Sequence, residues 1–379
     1  MMQGFPMATD KPHKNKTASP NVAVWAITPN GLTLGHKIYE GMGGARLFVS
    51  EKLQNKFQPN LGANPNAGNF ASMRADQIKD VSTFNRLSEE LSVQFFEFSA
   101  HIFIFATGIA VRMIAPLIQS KTTDPAVIVL DDKGIHAISL LSGHLGGANR
   151  LTQRIATLVN ARAVITTATD INGLPSIDLI AQKNNLFIEN PGAIKNVNMV
   201  FLKKKTMAVY DPEGFIDKQI PEAFINSSNI PTQGAGVACT WKTIKVPRET
   251  LLLRPQNLSV GIGCNRNTPI NVIHEFLRSV LDEEGISLNA VFTLATTDVK
   301  LDEIGLLELA DKLDLPIKFY DKTQLNSVDT IETPSKMVEK HLGVKSVCEA
   351  AAILAAERGR LIVTKKKNKD VTIAVALKG

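Results

Sequence analysis

Short apolar runs alternate with helix-period stripes along most of the chain. Asn21–Thr28 (NVAVWAIT) reads as a strand that stops at Pro29-Asn30-Gly31. Leu34, Ile38 and Met42 then recur every four residues, which predicts strand, turn and helix. Residues 51–94 are polar and rich in Asn and Gly, which predicts a loop-rich insertion. Order returns with HIFIFATGIAVRMIAP, a strand over 102–106, a Thr107-Gly108 turn and a short helix closed by Pro116. AVIVLDDKGIHAISL predicts two strands joined through Asp131–Gly134. After the junction SLLSGHLGGAN, the residues Ala148, Leu151, Ile155 and Leu158/Val159 share one helical face. AVIT (163–166) is a further strand, and a helix bearing Ile177, Ile180 and Ala181 starts after Pro175.

The pattern loosens over 183–256, which predicts a small α/β middle domain or connector. It tightens again at 257. LSVGI (258–262) leads through GCNRNT to Pro269 at the first helical position with Thr268 as N-cap, and Ile270, Ile273, Leu277, Val280 and Leu281 form a stripe. AVFTLA, TTDVK, a helix from about 301, PIKFY, a helix over about 347–358 and two closing strands follow, with Ser346-x-x-Glu349 as a capping box. The predicted class is α/β: two α/β domains with mostly parallel sheets, 21–182 and 257–379, joined by the 183–256 segment, with 1–20 a disordered leader. In such sheets ligands sit where strands end and helices begin. TPNG, ATGIAVR, SGHLGGAN, TTATD, GIGCNRNT and TTDVK all follow strands, which predicts a lined crevice.

Composition narrows the class. The chain has 379 residues, a formal charge of +6 and 44% hydrophobic content. A mild basic excess suits nucleic acid or a polyanionic small substrate equally well, but no aromatics interleave with Lys203-Lys204-Lys205 or Lys365-Lys366-Lys367, which weakens a base-stacking surface, so no nucleic-acid partner is expected. Three scattered cysteines form no CxxC pair, so a reducing, cytoplasmic setting is expected and no disulfide framework or structural zinc. The histidines never fall in HxxxH or HxH spacing, so no protein-bound metal is expected, and no window approaches a membrane span.

The junction SGHLGGAN admits two jobs. Its glycines can turn backbone N–H groups toward an anion at a helix N-terminus, with His144 beside it to give or take a proton. Equally, it can be a tight turn capped by Asn149 or Ser142. Asp170 in TTATD can orient a histidine or a substrate hydroxyl, or order the turn before Pro175. Cys264 stands at a helix N-terminus that lowers a thiol pKa, or is a small residue of a tight turn.

HIFIFATGIAVRMIAPLIQSKTTDPAVIVLDDKGIHAISLLSGHLGGANRL, followed by VITTATDINGLPSIDLIA, resembles the N-terminal domain of the CbiG family, the cobalt-precorrin-5A hydrolases of anaerobic cobalamin biosynthesis. GIGCNRNTP, LATTDVKLDEIGLLELA, LPIKFY, SVCEAAAILAA and the final KKxxxVTIAVA resemble that family's C-terminal domain, which also occurs alone as CobE. The likeness covers roughly 100–182 and 257–379, and 21–50 more loosely. It implies opening of the ring A lactone of a cobalt corrinoid and release of the extruded two-carbon unit as acetaldehyde. The cobalt would come with the substrate, and no cofactor of the protein's own is implied. On this reading His144 handles protons, while Thr166, Thr167 and Asp170 orient water or the hydroxyl. Gly146 and Gly147 offer N–H groups, and Arg112, Lys121 and Lys300 hold the acetate and propionate groups. Thr107, Gly108, Ser142, Asn149, Gly263 and Cys264 complete the expected substrate contacts. The alternative is a non-catalytic carrier that hands the tetrapyrrole between pathway methyltransferases. The likeness also admits those methyltransferases as partners and a homodimer.

Overall fold

The computed structural model describes residues 21–54, 81–120, 123–334 and 343–379. The expected leader over 1–20, most of the 51–94 insertion and Lys121 lie outside them. The described chain divides into two compact units at Leu179/Ile180.

The first unit is an α/β layer structure. Its strands are β1 (Val22–Ala26), β2 (Ala45–Ser50), β3 (Val81–Phe84), β4 (Ala100–Ile104), β5 (Ala126–Leu130), β6 (His136–Leu141) and β7 (Arg162–Val164). Its helices are α1 (Pro29–Met42), α2 (Glu51–Gln54), α3 (Leu87–Gln94), α4 (Thr107–Ile114), α5 (Ala148–Val159) and α6 (Ala168–Ile171), and α7 (Ile177–Lys183) spans the division. All seven strands form one sheet in the order β3-β2-β1-β4-β5-β6-β7. Every residue of β1, β4 and β5 is buried, as a sheet covered on both faces requires.

Side chains alternate between two unlike cores. Val22, Val24, Ala26, Ile102, Ile104 and Ile128 point into an aliphatic core with residues of α1 and α5. Trp25, Phe48, Phe103 and Val129 point the other way, into an aromatic core closed by residues of α3 and α4. There the Trp25 indole N–H, which can only donate, bonds His101 Nδ1 at 3.1 Å, so Nε2 carries the proton and donates to the Phe95 carbonyl at 3.0 Å. Burial pushes the His101 pKa down to about 4, so this ring is a neutral structural group.

Two expectations change here. The end of the 51–94 insertion is ordered: β3 pairs parallel with β2, and α3 buries Leu91. VSTF is a half-exposed edge strand, whose short polar pattern resembles a loop. The second change is larger. β6 runs antiparallel to β5, with Val127 opposite Leu141, and β7 runs parallel to β6. The loops after β6 and β7 therefore lie at the edge where β1, β4 and β5 begin, whereas TPNG and ATGIAVR lie where β1 and β4 end. Five-residue strands hold those edges about 16 Å apart. The single lined crevice is not formed in this unit.

The second unit holds β8 (Leu186–Ile188), α8 (Ile194–Leu202), β9 (Met207–Tyr210), β10 (Ile225–Ser227), β11 (Gly236–Cys239) and β12 (Leu251–Pro255). These strands form a five-stranded sheet, β10-β9-β11-β12-β8, with only β8 antiparallel. β13 (Leu258–Cys264), α9 (Ile270–Glu283), β14 (Val291–Thr297), α10 (Ile304–Leu313), β15 (Ile317–Tyr320), α11 (Lys322–Asn326), α12 (Val347–Ala355), β16 (Arg360–Lys367) and β17 (Val371–Leu377) follow. The second sheet runs β15-β14-β13-β17-β16, parallel over β13–β15 and antiparallel beyond. The buried Arg254 joins these two layers. It forks onto Glu189 at 2.6 and 3.1 Å and donates to the Thr240 and Lys242 carbonyls, while Glu189 also accepts from Ser287 and Asn289 at 3.2 Å.

Two caps read from the sequence are absent. Pro269 occupies the N-cap of α9, and the Thr268 hydroxyl donates to the Asn265 carbonyl at 2.8 Å. Ser346, at the N-cap of α12, makes no side-chain cap, and Glu349, the other half of the expected box, is fully buried and engaged elsewhere. Its carboxylate accepts from the Glu332 and Thr333 amides, the Thr333 hydroxyl and the Lys365 amide at 2.6–3.1 Å. No helix among the described residues is long and apolar enough to cross a membrane.

Candidate active site

The turn after β6 explains the spacing of its glycines. Ser142 adopts φ 56, a left-handed conformation uncommon outside glycine, and its hydroxyl donates to the Asp124 carbonyl at 3.0 Å. A Cβ on Gly143 would lie 2.8 Å from Asn149 Oδ1, and one on Gly146 would lie 2.4 Å from Ser142 Cβ. Gly147, at φ 81, is the left-handed residue from which α5 starts. The Gly147 N–H expected to face an oxyanion donates to the His144 carbonyl at 2.9 Å instead. These glycines close the turn tightly enough to aim His144 at the loops after β7.

There the imidazole is held on both sides. Nε2 lies 2.8 Å from Asp170 Oδ2 and 3.1 Å from the Thr169 hydroxyl. Nδ1 lies 3.0 Å from the Ser176 hydroxyl and 3.2 Å from Asp178 Oδ2. Ser176 donates in turn to Asp178 Oδ1. Hydrogen bonding to Asp178 is the largest influence on the ring; it and the Asp170 contact outweigh burial and raise the His144 pKa above its ordinary value.

Asp170 is oriented as firmly. Oδ2 accepts from His144, from Asn149 Nδ2 at 3.0 Å and from the Thr167 hydroxyl. The buried Asn149 is fixed by Ser139, which donates to its Oδ1 at 2.7 Å, and its Nδ2 also donates to Thr167 at 3.0 Å. Burial alone would push the Asp170 carboxyl up, but the bonds from Thr167, His144 and Asn149 hold it below the ordinary range. The hydrogen bonds to the Asp170 carboxylate from His144, Asn149 and Thr167 all land on Oδ2. The side chain is 33% exposed, against 15% for His144 and 6% for Asp178. The arrangement sets an imidazole against a part-exposed carboxylate, a geometry through which a proton can pass.

Of the residues expected at one site, His144, Thr167, Asp170 and Asn149 meet here, with Ser142, Gly146 and Gly147 in the turn beneath. Thr166 is exposed beside them. Thr107 and Gly108 open α4 at the opposite edge of the sheet, and the exposed Arg112 lies in the last turn of that helix. Gly263, Cys264 and Lys300 gather in the second unit, where β13 and β14 end. Lys300 is buried and bonded to Glu303 at 2.9 Å, and burial pushes the Cys264 thiol up, away from a ready thiolate.

Three family profiles match along the chain: Cobalamin synthesis G N-terminal over 89–170, Cobalamin biosynthesis central region over 175–255, and Cobalamin synthesis G C-terminus over 258–376. The chain is 35% identical over 318 residues to a cobalt-precorrin-5A hydrolase of Priestia megaterium, covering 80% of this chain and 85% of that one. It is 31% identical over 376 residues to the cobalt-precorrin-5A hydrolase of Salmonella typhimurium, covering 96% of this chain and 99% of its relative. The chain belongs to the cobalt-precorrin-5A hydrolase family. Protein CobE of Sinorhizobium sp is 27% identical over 110 residues, 29% of this chain and 71% of that protein. This family member therefore carries a CobE-like segment alongside the unit that holds His144.

Asp178, Ser176 and Ser139 were not legible as site residues, whereas Thr169 is one of the three hydroxyls that TTATD offers. In the sequence, Ser176 and Asp178 look like the ordinary polar start of a helix after Pro175.

Proposed function

We propose that this hydrolase-family member opens the ring A lactone of cobalt-precorrin-5A and releases the two-carbon unit as acetaldehyde, with His144 and Asp170 as the reacting pair. The observation that carries this reading is the pair itself, a histidine and a part-exposed carboxylate 2.8 Å apart in a protein related end to end to cobalt-precorrin-5A hydrolases.

Asp170 Oδ1 takes a proton from water as the water oxygen bonds to the lactone carbonyl carbon. The carbonyl reforms, the ring C–O bond breaks, and the departing alkoxide receives a proton from the pair, leaving a carboxylic acid, which gives its proton to solvent, and a free hydroxyl. In the second step the hydroxyl proton returns to the pair as the carbon–carbon bond breaks. Acetaldehyde leaves, and the electron pair enters the conjugated macrocycle, whose carbon is then protonated. The cobalt belongs to the substrate, and the ring serves as the electron sink, so no resident cofactor takes part.

Incubating the purified protein with the lactone intermediate and measuring acetaldehyde tests this reading. Stoichiometric release is expected. Binding of the macrocycle without release would instead fit a carrier.

A further inference from the structure

We propose that Asp178, with Ser176, is a positioning residue that keeps His144 doubly protonated, so that the resting ring supplies the proton at Nε2 rather than accepting one. The proposal deepens the function proposed above and rests on it for its kinetic part only.

A count of hydrogens carries the argument. The Ser176 hydroxyl has one hydrogen, and it goes to Asp178 Oδ1. Ser176 can then only accept from His144 Nδ1 at 3.0 Å, so Nδ1 bears a hydrogen, with Asp178 Oδ2 beside it at 3.2 Å. On the other side Nε2 lies 2.8 Å from Asp170 Oδ2, which already accepts from Thr167 and Asn149. Two lone pairs at that distance repel, so Nε2 also bears a hydrogen. The ring is an imidazolium between two carboxylates.

The charged groups acting most strongly on the ring are Asp178, from the start of α7, and Asp170, from α6. Thr169 and Ser176 are its neutral neighbours. Asp170 is the more exposed carboxylate and would meet the substrate; Asp178 is buried and acts only through the ring. A single carboxylate on Nε2 would leave the Nδ1 proton without a charged partner. The second one prevents this.

The test has two arms. In the substrate-free protein, nitrogen NMR of the His144 ring is expected to show both nitrogens protonated at pH 7. Asp178→Asn is expected to lower that titration by about one pH unit, a tenfold change in proton affinity, and Asp178→Glu to restore most of it. In the kinetic arm, the alkaline limb of kcat for acetaldehyde release moves down by the same amount in Asp178→Asn, with KM unchanged. Should Asp178→Asn not fold, Ser176→Ala is expected to lower the ring titration in the same direction by about threefold in affinity. A neutral ring at pH 7 in the parent protein, or a titration unmoved in the folded variant, overturns the proposal. Absence of acetaldehyde from the parent protein would overturn the function proposed above and leave the NMR result standing.

Discussion

Two carboxylate networks, around His144 in the first unit and around Glu349 in the second, differ in what satisfies them. Glu349 is fully buried, and three of its four donors are backbone amides, from Glu332, Thr333 and Lys365. It ties Glu332 and Thr333 to β16. Around His144 every partner is a side chain, two of them are carboxylates, and Asp170 reaches solvent. A carboxylate spent on amides fixes the chain. One placed against an imidazole at an open edge can move a proton.

That contrast separates activity from stability. The largest effect is expected for Asp170→Asn, which should slow acetaldehyde release by about a thousandfold, since proton transfer by a placed group contributes on that order. Its thermal midpoint should stay close to the parent's, because the side chain is a third exposed. Glu349→Ala should do the reverse, lowering unfolding free energy in denaturant titrations by about 3 kcal/mol through unpaired buried amides. A Glu349→Ala protein as stable as the parent would erase the distinction.

The pH dependence of stability sharpens it. Burial would raise the Glu349 carboxyl, but the Thr333 and Lys365 bonds outweigh that and hold it below the ordinary range. Its contribution is therefore present above the usual carboxylate range and lost as pH falls through the lowered value. His144 has the opposite sign: its raised pKa gives stability that is present below the ordinary histidine value and lost as pH rises through the raised one. Comparing urea midpoints across pH for the parent, His144→Ala and Glu349→Ala proteins should show the alkaline change lost in His144→Ala, and the share of the acid change that belongs to Glu349 lost in Glu349→Ala. The smallest effect is expected for Gly147→Ala, about 1 kcal/mol from forcing a Cβ into the left-handed region, with no clash to add to it.

Much of the architecture was legible. The buried runs of β1, β4 and β5 and the stripe of α9 follow from periodicity alone, and SGHLGGAN and TTATD were singled out before any partner was visible. The direction of β6 was not. Asp131–Gly134 signals a hairpin, but a reversal also turns the following strand end to the other edge of the sheet, and loop composition carries no sign of that. This is why Thr107 and Arg112 were grouped with His144 and stand apart from it. Glu349 misled for a different reason: Ser346-x-x-Glu349 satisfies a capping pattern locally, while the amides that claim the carboxylate come from Glu332, Thr333 and Lys365. Local pattern could not weigh those distant donors.

The account is tested most directly by the rate at which purified His144→Ala protein, matched to the parent for folded fraction, releases acetaldehyde from the cobalt lactone. It predicts stoichiometric release by the parent and a rate about a thousandfold lower for the variant. Release at the parental rate by His144→Ala would contradict it.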